Sequence, residues 1–291
     1  MRGRHAIAAG ALAALVGLAG LATAADRGTI EGHVTILRGL VYSVAGGQTL
    51  RLDAYLPRSN GSPRPAAVIV HGGGWRSGTR ATFAPGESSV EPTARLFAAH
   101  GWATFSIDYR LAPASRFPAQ VSDVQSALAW VRRNRARYRI DPQRVALLGA
   151  SAGGNLAVLA ALTSAPGTAP AAAVSWSGPM NLTSFYRSLA TRGSRPFVVD
   201  YLGCLPAACP TRYRDASPTD QVTSTSPPTL LANGTNEIVP LQQTSEMAAA
   251  LAARHVPHAV VIVSGSRHAA DYEPAVIGRT ISFLATSFAA R

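Results

Sequence analysis

Apolar and polar positions along this chain follow two periods. Short apolar runs stand at Thr29–Leu37, Thr49–Leu56, Ala66–Val70, Trp102–Ile107, Val145–Leu148, Ala171–Trp176, Thr229–Ala232 and Ala259–Val263. The first two alternate enough to predict an opening pair of strands. The later ones are nearly continuous, as strands covered on both faces must be. Between them the period lengthens to three and four, which predicts helices over Glu91–His100, Pro118 to about Arg137, Leu241–Arg254 and about Pro274–Phe288. Val121, Val124, Leu128 and Val131 share one face of the second helix; Ile277, Ile281, Leu284 and Phe288 share one face of the last. Strands alternating with helices predict an α/β fold: a mostly parallel central sheet with helices on both faces. The segment 177–226 breaks the alternation and is expected to be a small cap insertion. In such sheets ligands bind beyond the carboxyl ends of the strands.

The amino terminus departs from this pattern. Arg2 and Arg4 precede an apolar stretch from Ala6 to Leu21, which ends in Ala22-Thr23-Ala24. That order predicts a secretory signal peptide over residues 1–24, cut after Ala24 or Ala25, with one domain over 25–291. The mature protein is then secreted or periplasmic. No later segment is long and apolar enough to insert stably in a membrane. An exported chain makes a local disulfide between its two cysteines, Cys204 and Cys209, the natural expectation. No His or acidic residues cluster with them at ligand spacing, so no metal site is expected.

The formal charge is +12, all 27 basic residues are Arg, and Arg2 and Arg4 account for two of them. The absence of Lys points to coding bias more than to function. The densest cluster, Arg132, Arg133, Arg135, Arg137 and Arg139, is expected to be the solvated end of a surface helix. No nucleic-acid motif accompanies it, so a nucleic-acid partner is not expected. Attraction to an anionic surface is the alternative.

Two motifs carry chemistry. Gly149-Ala150-Ser151-Ala152-Gly153-Gly154 follows a strand and opens a helical run, the setting in which a G-x-S-x-G turn exposes a nucleophilic serine. His71-Gly72-Gly73-Gly74-Trp75 follows another strand directly. Glycines there leave backbone N–H groups open to a developing oxyanion. Ser151 is thus the expected nucleophile, and the N–H groups of Gly73, Gly74 and Ala152 the expected oxyanion donors. A serine needs a base to take its proton. Of the seven histidines, His268 follows the last strand immediately, whereas His255 and His258 precede it. His268 is therefore the expected base. Together these groups predict acyl transfer.

Those motifs, with Asp108-Tyr109-Arg110-Leu111-Ala112-Pro113 and Gly265-Ser266-Arg267-His268, resemble the α/β-hydrolase carboxylesterases of the hormone-sensitive-lipase and feruloyl-esterase-like group. The resemblance runs from about residue 30 to the C-terminus and implies serine hydrolysis of small-molecule carboxylic esters without a metal or organic cofactor. It also implies a structural role for Asp108 and Arg110 in bracing the glycine loop. The family's acid would be an Asp four residues before Pro240, but Asn236 stands there and Glu237 follows it. The acid is left open between Glu237, Asp271 and Asp220, or none. Three readings follow: an exported esterase for short acyl or aryl esters, an arylformamidase-type amide hydrolase, and a weakened hydrolase that binds rather than turns over. Oligomeric state leaves no mark in the sequence. Phe185, Tyr186, Phe197, Tyr201 and Tyr213 are candidates to line the pocket or to pack the cap.

Overall fold

The computed structural model describes residues 29–31, 33–58, 61–83, 88–188 and 195–290, so the expected signal peptide lies outside the described residues. Its strands are β1 (Thr29–Glu31), β2 (Val34–Ala45), β3 (Gln48–Pro57), β4 (Arg64–Val70), β5 (Ala103–Ile107), β6 (Ile140–Ala150), β7 (Ala172–Trp176), β8 (Thr229–Gly234) and β9 (His258–Val263). Among the described residues they form one sheet in the order β1-β2-β3-β5-β4-β6-β7-β8-β9. β1, β2 and β3 are antiparallel, β3 meets β5 antiparallel, and β5 through β9 run parallel in that order.

Alternation along the strands splits the core into two. Ala66, Val68 and Val70 of β4 and Val145 and Leu147 of β6 face one cluster; Ala67 and Ile69, with Ala146 and Leu148, face the other. The first cluster is covered by α2 (Ala119–Arg133), α4 (Ala152–Leu162) and α8 (Leu241–Ala253). The second is covered by α1 (Glu91–Ala99) and α9 (Glu273–Ala289). Residues Ala152 through Ala161 of α4 are buried all round, which fits a helix enclosed by the fold. Between β7 and β8 stand three short helices, α5 (Leu182–Ser188), α6 (Arg195–Leu202) and α7 (Pro210–Asp215).

Several expected boundaries move, including that of β6, which begins at Ile140 rather than Val145. The opening pair of strands is three: β1 is short, β2 runs on to Ala45, and a tight Gly46-Gly47 turn with φ of 56° and 73° returns the chain into β3. A two-residue hairpin of this kind needs positive φ at both positions, which glycine supplies. The second helix, expected to reach Arg137, stops at Arg133, and α3 (Arg135–Tyr138) is a separate turn. The break lets Tyr138 pack against Phe105 and Trp130, each with centroids 5.7 Å apart, and Asn134 bonds back to the Trp130 carbonyl. In the arginine cluster, Arg132 is a structural tie, donating to the carbonyls of Pro142, Thr168 and Ala169.

Candidate active site

Ser151 sits where β6 gives way to α4, with φ 53° and ψ −122°. That backbone is strained for a residue with a Cβ, and the flanking glycines make the turn possible. A Cβ on Gly149 would stand 2.1 Å from the Gly153 carbonyl oxygen, and one on Gly153 would stand 2.2 Å from that of Val70. The turn is thus pressed against the end of β4, where the glycine loop begins.

Gly73 and Gly74 adopt φ of 89° and 60°. The Ser77 hydroxyl and backbone N–H both donate to the Gly73 carbonyl, at 3.0 and 3.2 Å. Among the described residues the N–H groups of Gly73, Gly74 and Ala152 have no acceptor. Ala152 opens α4, so its N–H is one of the free donors every helix start leaves. A Cβ on the adjoining Gly72 would stand 3.2 Å from the Ser151 Cβ, so loop and serine are in contact.

Beneath the loop, His71 is fully buried and stacks on Tyr109, with ring centroids 4.1 Å apart. Its Nδ1 donates to the Gly72 carbonyl at 2.9 Å, and burial pushes its pKa down to about 4. It is a neutral structural group. The resemblance assigned the bracing to Asp108 and Arg110, and the structure redistributes it. Tyr109, between them, donates toward the carbonyls of His71 and Gly72 at 3.1 and 2.9 Å. Asp108 pairs with Arg80 at 2.7 Å and so ties down the stretch after the loop. Arg110 instead grips Asp123 at the start of α2, at 2.7 Å.

Which carboxylate meets His268 depends on the direction of a turn. After β8, Asn236 faces solvent while Glu237 is 5% exposed. Glu237 Oε2 meets His268 Nδ1 directly. Its Oε1 accepts from the Ser177 hydroxyl at 2.7 Å and the Gly234 N–H at 2.5 Å. Among the described residues no hydrogen bond or ion pair joins the side chains of Asp271 or Asp220 to His268. Asp271 is exposed and meets the His268 carbonyl only through its backbone N–H at 3.0 Å, while Asp220 lies near Arg214 and Glu246.

Ser177, not singled out in the sequence, links the two halves of the site. Ser151 N–H donates to the Trp176 carbonyl at 2.7 Å, and the next residue, Ser177, accepts from Ala269 N–H on its hydroxyl at 2.9 Å. The residue after His268 is thereby tied one position from the residue that holds Ser151. The Tyr272 hydroxyl lies 2.6 Å from that of Ser177. Its single proton also has the Ala232 carbonyl as an acceptor, at 2.9 Å, while the Ser177 hydroxyl donates to Glu237. A hydroxyl directly after a buried strand beside the serine strand was the one available sequence signal for Ser177.

On the His268 side, Ser88, Ser89, Thr93, Arg267, Asp271 and Glu273 line a cleft of about 500 Å³. Burial pushes the Glu273 carboxyl up, against a smaller opposing hydrogen bond from Thr93. Of the five cap aromatics, Phe185, Tyr201 and Tyr213 are core, Tyr186 is half-buried, and Phe197 is 39% exposed beside the glycine loop. Cys204 and Cys209 form a disulfide just past α6. Among the described residues no three His, Cys, Asp or Glu gather as metal ligands would.

A strained serine at a strand–helix turn, a glycine loop with open N–H groups and a late histidine on a carboxylate, all beyond the carboxyl ends of the parallel strands, define an α/β-hydrolase fold. The chain belongs to the BD-FAE family, whose model matches residues 52–251. It is 34% identical to esterase LipC of Mycobacterium tuberculosis over 198 residues, 62% of this chain and 46% of that protein. It is 30% identical to esterase LipQ of the same organism over 243 residues, 78% of this chain and 55% of that protein. The chain thus spans about half the length of these relatives. A truncated carbohydrate esterase from gut microbiota has the same fold, with a TM-score of 0.74 over 90% of this chain and 99% of that one at 22% identity. The acetyl ester-xyloside bifunctional hydrolase of Caldicellulosiruptor lactoaceticus gives 0.69 over 84% and 88%, at 25% identity.

Proposed function

We propose that this protein is an exported serine carboxylesterase that hydrolyses short acyl or aryl esters through Ser151, His268 and Glu237. The observation that carries the reading is the contact of Glu237 with His268 Nδ1, with the other carboxylate oxygen fixed by Ser177 and Gly234. A carboxylate there holds the imidazole with Nδ1 protonated, which turns Nε2 into the base. His268 Nε2 takes the Ser151 proton as Oγ attacks the ester carbonyl. The N–H groups of Gly73, Gly74 and Ala152 receive the oxyanion, where preorganised donors act most strongly. His268 then protonates the leaving alkoxide, and water hydrolyses the acyl-enzyme by the same steps in reverse. Esterase names among the relatives support this reading. Glu237 at His268 counts against a crippled, purely binding protein. Export rests on the N-terminal pattern alone and is checked by N-terminal sequencing of the mature protein.

The test is hydrolysis of p-nitrophenyl acetate and butyrate by the mature protein and two variants. Ser151→Ala is expected to lose at least about 10⁴-fold in kcat. Glu237→Gln is expected to lose about 10³- to 10⁴-fold, the scale of the serine-protease aspartate-to-asparagine swap. A fluorophosphonate should label the wild type at Ser151 stoichiometrically. An unlabelled wild type with no ester turnover would sink the reading.

A further inference from the structure

One face of α6 engages three successive residues of the glycine loop. A Cβ on Gly74 would stand 3.2 Å from the Phe197 ring. Trp75 stacks on Tyr201, with centroids 4.6 Å apart and planes 1° from parallel. Arg76 pairs with Asp200 at 3.1 Å and also lies over the Phe197 ring, 5.2 Å from its centroid. Positions 197, 200 and 201 are neighbours on a helix surface. Tyr201 and Val198 root the helix in the core, while Phe197 remains 39% exposed. The C-terminal end of α6 is fixed as well: the Tyr213 hydroxyl donates to the Cys204 carbonyl at 3.1 Å, and Cys204 is bonded to Cys209.

The two faces of the sheet say which part of an ester meets this ring. Trp75 and Tyr201 belong to the core cluster on one face, and Ala269, Ala270 and Tyr272, directly after His268, to the cluster on the other. His268 must reach the leaving oxygen to protonate it, so the alcohol portion lies on its side, toward the cleft that Arg267 and Asp271 help to line. The acyl chain is left to the opposite side, where α6 stands.

We propose that Phe197 is the wall of the acyl-binding side that restricts substrates to short chains, and that Arg76 and Asp200 are positioning residues holding it against Gly74. The inference rests on the ester-hydrolase reading above and deepens it. A longer acyl chain must displace the ring, and displacement breaks the stacking with Arg76 and loads the Arg76–Asp200 pair.

The test is a p-nitrophenyl ester series from acetate to octanoate, read as the octanoate-to-acetate ratio of kcat/KM. Wild type should favour acetate and butyrate. Phe197→Ala should raise the ratio at least about tenfold, Phe197→Trp should lower it, and Asp200→Asn should raise it by a smaller factor. A general structural role would lower every chain length in parallel and leave the ratio unmoved. Ester turnover that depends on Ser151, with a ratio unchanged in Phe197→Ala and Phe197→Trp, overturns the assignment of Phe197 alone. No turnover at any chain length, in wild type or Phe197→Ala, overturns this assignment together with the ester-hydrolase reading.

Discussion

A single hydroxyl does more at this site than its place in the sequence announces. Ser177 donates to Glu237, accepts from Ala269 N–H and lies against the Tyr272 hydroxyl. It thus joins the acid, the histidine loop and the last helix at one oxygen. A hydrogen bond to a charged group contributes about 1.5–3 kcal/mol. Ser177→Ala should therefore lower kcat about 10- to 100-fold, while fluorophosphonate still labels Ser151. Steady-state kinetics with active-site titration check this. Turnover within twofold of wild type would mean that Glu237's other contacts, the Gly234 N–H among them, hold it without Ser177. The neighbouring choice between Asn236 and Glu237 obeys the same logic. The residue that points inward, not the one at the customary spacing, meets the histidine.

The elements divide labour by which face they cover. α4 is buried on all sides from Ala152 to Ala161, and Ser151 stands at its start. α9 is a surface helix with one apolar stripe, Val276, Ile281, Leu284 and Phe288, packed on the second core cluster. Its Gly278 is exposed, and a Cβ there would meet nothing within 4 Å. Glycine inside a helix costs about 0.5–1 kcal/mol relative to alanine. Gly278→Ala should therefore raise Tm by about 1–4 °C and leave ester turnover unchanged. A differential-scanning melt reads the shift, and a fall in Tm would mean that the position contacts something absent from this packing.

At the scale of the whole molecule, the glycine loop is an acid-sensitive part of the fold. Among the described residues buried His71 has no hydrogen bond or ion pair to a carboxylate, and its pKa falls from the ordinary 6.5 to about 4 because burial penalises the charged ring. The unfolded chain then binds this proton more readily than the folded one between those values, so stability drops as pH falls through the window. The shift corresponds to about 3 kcal/mol lost between about pH 6.5 and pH 4. His71→Asn keeps a donor for the Gly72 carbonyl but cannot titrate. Its unfolding free energy should slope less with pH across that window, whatever its absolute stability. Denaturant melts at half-unit pH steps make the comparison, and equal slopes would refute the account.

Period and punctuation along the chain determined the α/β class, most of the strands, the serine turn, the glycine loop and the histidine after the last strand. Each of these is set by local sequence: a buried strand needs a continuous apolar run, and a sharp turn needs glycine where a Cβ would collide. Local sequence also misjudged some boundaries, because the burial of Tyr138 and the Gly46-Gly47 hairpin outweighed helix and strand periodicity. Only the tertiary structure decided what depends on direction and on distant partners. The turn after β8 sends Glu237 in and Asn236 out, and Tyr109, rather than Asp108 or Arg110, reaches the glycine loop. Ser177 meets residues 60 and 92 positions away, and α6 lays one face on residues 74–76. A side chain's facing is fixed by the packing of elements far apart in sequence, and a pattern of neighbours along the chain carries no record of it.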